Sequence, residues 1–345
     1  MRPASLTRRN RQGANWPAIT SLITALTAVG ALVFTGLSLN ATRQQVAVAE
    51  QSQVTDRYTK AVEQLDRGGD DHLQVRLGAI YGLERLAQDS PRDQPTIIEV
   101  LSAFIRTSSP VPIIPTPQAC KGEALDSTNQ PLGPCRELHL CPEKPPSSDI
   151  QAALTVLGRR NAAYDNHTPV DLRGTCLRRA QLHGANLSGA RLDWTNLLFA
   201  DLSGADLTGA TLSHTYLGDS NLTHADLSRV DLTRALLFAA SLSDATLVGA
   251  NLTHAELGYA KLQRANLTRA DLRGADLTTA GSTPELPSAD LSHANLTDAR
   301  LEDSYLNRVN LTGANLSGAD LTGAYHHSTN VTDVQTDAQT RGKWW

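Results

Sequence analysis

ADLSGADLTGATLSHTYLGDSNL, residues 200–222, puts a leucine at every fifth position with almost nothing bulky between. A period of five fits neither the 3.6 of an α-helix nor the 2 of a β-strand. The spacing runs without a miss from Leu172 to Leu277, 22 leucines in all, and resumes in a new register from Leu291 to Leu321. Alanine stands two residues before most of these leucines, Asp or Asn one before, and Ser or Thr one after. Such a unit is too short for the helix pairs of a solenoid repeat and marks a stacked β architecture.

The pattern A-(D/N)-L-(S/T)-x resembles the pentapeptide-repeat family. That resemblance implies a mainly β fold, a right-handed quadrilateral β-helix with four repeats per coil, over residues 170–324. Each pentapeptide would make one side of a square and turn one corner, with Leu and the preceding Ala pointing inward. A narrow shaft has no space for two large side chains per side, so one position must stay small. About seven coils at the ordinary strand spacing of about 4.8 Å would make a rod about 35 Å long, with no cavity. Between Leu277 and Leu291 lie 14 positions where a multiple of five is needed, so the shaft is expected to extrude a loop near 280–289. Its two prolines have no N–H to give to a ladder. Residues 325–345 read as a C-terminal cap and tail, with Val331 and Val334 as candidates to cover the last coil, since an open edge invites association.

Ahead of the repeats, residues 1–17 are basic, carrying Arg2, Arg8, Arg9 and Arg11, and residues 18–40 contain no charge. That length crosses a hydrocarbon core as a helix, so a single transmembrane span is expected. The arginines would hold the N-terminus in the cytoplasm, leaving the repeats outside. Residues 41–106 read as a helical region: Val54, Tyr58, Ala61, Val62 and Leu65 share one face up to Gly68 and Gly69. A second helix would bury Val75, Leu77, Ile80, Leu83 and Leu86. A third would have Asp93 as cap and Pro95 in its first turn. Residues 107–147 form a Pro-rich, Cys-bearing linker, and residues 148–169 a capping helix, begun by Ser148 or Asp149, with its lead-in. QVTDRYTKAVEQL, VRLGAIYGLERLA and DIQAALTVLGRR are similar to segments preceding the repeats in membrane-anchored bacterial members of the family. The Cys-bearing insert departs from that pattern.

Stacking every twentieth residue gives four faces, one unlike the rest. It carries Leu198, Phe199, Tyr216, Leu236, Phe238 and Tyr259 at outward positions, with Trp194 on its entering corner and Gly218 and Gly258 alternating with the large residues. Exposed apolar patches of this kind mark interaction sites, so the face is expected to meet the chain's own helical region, a protein partner or a second copy. Beneath it the inward Ala position holds Thr175, Thr195 and Thr215, whose hydroxyls must find partners within the stack.

His214 and His254 share a column with Arg234 between them, and His326 and His327 have no acidic or Cys company, so no metal site is expected. Cys120, Cys135, Cys141 and Cys176 suit disulfides in an oxidising compartment, Cys120–Cys135 with Cys141–Cys176 being one of three pairings. Unpaired thiols, or zinc on Cys135, His139 and Cys141, are the alternatives. No nucleophile, phosphate loop or carboxylate pair stands out, and no cofactor is implied.

A net charge of -4 and a pI near 6.2 exclude a nucleic-acid binder that works by neutralising phosphate. The expected function is a membrane-anchored, non-enzymatic scaffold or protein-binding module. One alternative comes from soluble family members that resemble DNA and bind type II topoisomerases. Those need a strongly acidic rod, whereas residues 170–324 hold 12 basic and 17 acidic side chains. A signalling protein with a ligand-responsive helical region is the other.

Overall fold

The computed structural model describes residues 16–112, 141–278 and 288–345, which fall into two compact units, residues 1–57 and 58–345. The loop expected near 280–289 lies outside these residues up to 287, as do Cys120, Cys135, His139 and the four N-terminal arginines.

In the second unit, isolated parallel bridges join residue to residue at intervals of 20: Asp171 to Arg191, Arg191 to Thr211, and onward. Each coil therefore has four five-residue sides, which begin in the first coil at Asp171, Cys176, Gln181 and Asn186. Leucines 172 to 277 and the alanines before them are at most 7% exposed, so they fill the shaft. The rest of the repeat has an equally local cause. In the repeat unit 200–204, Asp201 Oδ1 accepts from the Ser203 N–H at 3.1 Å and from its hydroxyl at 2.6 Å. This Asx turn recurs at Asn221 with Thr223, Asp231 with Thr233 and Asn266 with Thr268. It is why Asp or Asn precedes the leucine and Ser or Thr follows it. The fifth residue turns the corner with positive φ, for example +64° at Gly204 and +57° at His214. Glycine adopts that conformation freely, whereas a side chain there costs about 1–2 kcal/mol.

The inward hydroxyls are satisfied by backbone. Thr175 and Thr195 both donate to the Leu172 carbonyl, at 2.7 and 2.8 Å, and Thr215 donates to that of Leu192 at 2.8 Å. Across the register break, Lys261 pairs with Asp290 and Asp276 with Tyr305, so nine extra residues are extruded without disturbing the stack. Ser288 and Ala289 are already back in it, Ala289 fully buried, and the loop ends earlier than 289. Residues 325–341 are no mere tail. Asn330 pairs with Asn310 and Gln335 with Asn315, giving an eighth coil on the third and fourth sides, and Arg341 pairs with Asp320 as a ninth member of the first. The Asx turn survives there, Asn330 with Thr332, although His326, Val331 and Thr336 stand where leucine stood.

Four helices precede the coils: α1 Trp16–Leu65, α2 Leu73–Asp89, α3 Gln94–Ser108 and α4 Ser148–Arg159. Among the described residues no helix is long and apolar enough to cross a membrane, so the transmembrane span expected at 18–40 finds no support there. Residues 18–40 are helical within α1, but hydroxyls interrupt the stretch, and Thr27 and Thr35 return theirs to the helix's own carbonyls. In α2 the buried face is Arg76, Ala79, Ile80, Leu83 and Leu86, while Val75 and Leu77 are only half-buried. Asp93 precedes α3 without capping it, because its carboxylate takes the Ser90 hydroxyl at 2.6 Å. Ser147, rather than Ser148 or Asp149, stands at the N-cap of α4 and donates its hydroxyl to Asp149.

Each side of the first coil is met by a segment that precedes it in the chain. On the first, Arg106 of α3 donates to the Asp171 carbonyl at 2.7 Å and Ser102 accepts from its N–H at 3.3 Å. On the second, residues 109–111 pair antiparallel: Val111 N–H donates to Gly174 O and Cys176 N–H to Ser109 O, each at 2.7 Å. Gln151 of α4 bridges the N–H and carbonyl of Gln181 on the third. On the fourth, Asn186 N–H donates to the Gly158 carbonyl at 2.7 Å, and a Cβ at Gly158 would lie 2.8 Å from that of Ala185. Only glycine lets the helix come so near.

Candidate interaction face

The second side is the anomalous one. Phe199 is 40% exposed and Phe238 45%, while Leu198, Tyr216, Leu236 and Tyr259 are half-buried. Gly218 and Gly258 are seats for their neighbours. A Cβ on Gly218 would touch Leu198 Cδ1 at 3.0 Å, and one on Gly258 would touch the Phe238 ring at 3.3 Å. Phe238 meets Tyr259 edge to face at 4.8 Å, and the guanidinium groups of Arg178 and Arg179 lie 5.0 and 5.2 Å from the Phe199 ring. On the entering corner Trp194 stacks on His214 at 4.1 Å. Among the described residues no group of three His, Cys, Asp or Glu side chains converges as metal ligands would.

The structure adds two residues to this face. Tyr305 and Tyr325 follow Asp276 in the same column and stack on each other at 4.8 Å, with 43% and 55% exposed. Among the described residues of 170–325, every exposed large apolar side chain belongs to this side. Counting by twenties from Tyr216 misses both tyrosines, because the nine-residue insertion shifts the column; restarting the count at Leu291 recovers them. Between the two clusters stand Glu256 and Asp276. Local desolvation, then the charge of Asp276 one coil on, pushes the Glu256 carboxyl above its ordinary pKa.

At the lower end of the face, residues of the chain's own linker pack against it. Cys141 and Cys176 form a disulfide, and with Val111 they make a buried cluster against which Tyr216 packs. The bond joins residues 35 apart in sequence and fastens the linker to the first coil.

A model of the family described as pentapeptide repeats matches residues 170–197, 200–237, 240–278 and 288–325. Among solved structures, the chain is similar to HetL, a pentapeptide repeat protein involved in heterocyst differentiation regulation from the cyanobacterium Nostoc sp. strain PCC 7120. The identity is 39%, over 48% of this chain and 75% of that one, with a TM-score of 0.21. A pentapeptide repeat protein from the Arabidopsis thaliana thylakoid lumen is 34% identical over 30% of this chain and 69% of its own, with a TM-score of 0.23. QnrB1, a plasmid-mediated fluoroquinolone resistance protein, is 18% identical over 47% of this chain and 87% of its own, with a TM-score of 0.24. A comparison with curated proteins finds no match.

Proposed function

The chain belongs to the pentapeptide-repeat family, and on that premise we propose that it is a non-enzymatic scaffold whose second face binds a protein partner. The carrying observation is that Phe199, Phe238, Tyr305 and Tyr325 are exposed on one side, while the shaft beneath them is filled by leucine and alanine. A filled shaft offers no cleft in which a reaction would be shielded from water, and a rigid side with aromatic anchors suits recognition. Placing a photo-crosslinking residue at Phe238 in cells tests this. A discrete adduct with another protein, lost when Phe199→Asp and Tyr305→Asp are added to a chain that still folds, is the expected result. Adducts indifferent to those changes would sink the proposal.

Tethering to a membrane through residues 18–40, with the coils outside the cytoplasm, is part of the same proposal. Its support is the uncharged stretch, the arginines before it, and a disulfide of the kind that persists in oxidising compartments. A reporter active only outside the cytoplasm, fused after Trp345, should give signal, whereas signal from an inside-only reporter would refute the orientation. The DNA-mimic alternative needs continuous negative charge, but Asp244, Asp271 and Asp320 are each paired with arginine.

A further inference from the structure

On the second side Phe238 stands in the coil of Leu236, Glu256 and Asp276 occupy the next two, and Tyr305 and Tyr325 the two after those. The carboxylates therefore sit between two groups of exposed aromatics. Glu256 is itself exposed, and Asp276 Oδ1 accepts from the Thr278 N–H at 2.8 Å and from its hydroxyl at 2.6 Å. Among the described residues no cationic side chain pairs with either, whereas Asp244, Asp271 and Asp320 on other sides each have an arginine. Arg178 and Arg179 lie over Phe199, four coils below Glu256 by their column. Like charges one coil apart, about 4.8 Å along the axis, are left for a cation from outside to relieve.

The backbone limits what can dock. Leu237 N–H donates to the Glu256 carbonyl at 2.7 Å, Leu257 to Asp276 at 2.6 Å and Leu277 to Tyr305 at 3.0 Å. Each coil thus uses its polar backbone groups on its neighbours along the rod, and this side offers no strand edge to extend. A docking segment must bring a backbone that is already paired, as an α-helix does. Counted in steps of about 4.8 Å, Glu256, Asp276, Tyr305 and Tyr325 lie about 5, 10, 14 and 19 Å beyond the coil of Phe238. Helix positions i+3, i+7, i+10 and i+14 lie about 4.5, 10.5, 15 and 21 Å along their own axis, so one helix face keeps step with the column.

Resting on the reading of this side as a protein-binding face, we propose that its partner presents an amphipathic α-helix along the rod, apolar at i, i+10 and i+14 and basic at i+3 and i+7, so that Lys or Arg meets Glu256 and Asp276 between the aromatics. The test measures fluorescence anisotropy of two labelled helical peptides of about 18 residues against the full-length chain. Both have leucine at the apolar positions in an alanine and glutamine background, and they carry either lysine or glutamate at i+3 and i+7. The lysine peptide is expected to bind at least tenfold tighter at low salt. That advantage should fall below about threefold in the double variant Glu256→Gln, Asp276→Asn, where Asn keeps the turn with Thr278. Equal binding of the glutamate peptide, no saturable binding of either, or an advantage unchanged in the double variant would overturn the inference without deciding the reading of the face, which the crosslink at Phe238 tests. Lysine-peptide binding that survives Phe238→Asp with Tyr305→Asp would overturn both. Dimers of the chain that exclude the lysine peptide and are abolished by Phe238→Asp would overturn the inference in favour of a second copy.

Discussion

At its first coil the stack ends against α3, α4 and residues 109–111, which meet all four sides, and the Cys141–Cys176 bond holds the linker in place. At its last coil Val331 and Val334 are half-exposed. The coil is finished instead by Thr340, which donates to the Leu316 carbonyl at 2.9 Å, and by Trp344 stacked on His326 at 4.0 Å. Both ends face the same problem, a ladder whose next coil is missing. One end answers with separate secondary structure from earlier in the chain, the other with side chains of the segment that directly continues the stack. The repeat grammar thus specifies a stack but not its length, and each end needs residues outside that grammar.

The contrast is broken most severely by cavity creation. Leu177→Ala in the first coil should lower stability by about 2–5 kcal/mol, whereas Val331→Ala in the last should change it by less than about 1 kcal/mol. Chemical denaturation of the two variants checks this, and equal effects would mean that the ends are equally well packed. Replacing both Cys141 and Cys176 with serine should destabilise by about 2–4 kcal/mol, read as the difference between reduced and oxidised melting of the parent chain. Protease sensitivity should then appear near residues 109–111 and leave the last coil unchanged.

Acid should loosen the cap as well as the coils. The hydrogen-bonded carboxylates Asp149, Asp171, Asp271 and Asp290 have pKa values held below the ordinary one, burial opposing and hydrogen bonds prevailing. A depressed folded pKa contributes stability that is present above the unfolded value of about 3.9 and lost as pH falls through the folded value. Melting temperature should be flat from pH 7 to 5 and fall steadily below about pH 4. A curve unchanged down to pH 2.5 would show that these carboxylates are no better placed than in the unfolded chain. The smallest effect is expected from Trp344→Ala, which removes one stack at the last coil and should cost about 0.5–1.5 kcal/mol, measured by hydrogen exchange at residues 326–334.

How much could be read beforehand depended on whether the cause was local. The Asx turn and the small inward residue act within five positions, so the leucine period revealed the coils directly. Tyr305 and Tyr325 were hidden because an insertion of nine residues displaced their column, and the eighth coil because Val331 and Thr336 no longer spell the motif. The inward turn of Arg76 breaks hydropathic pattern altogether: its burial depends on Asp149, 73 positions away, and on two carbonyls.

By itself, the sequence determined the four-sided coil, the filled shaft and the side on which aromatics collect, because each repeats a short-range rule at every turn. Only the tertiary structure decided which cysteine closes on Cys176, which helix covers which side, and that the cap buries the Arg76 guanidinium. Those outcomes depend on contacts between segments tens of residues apart, where no period in the sequence records the partner.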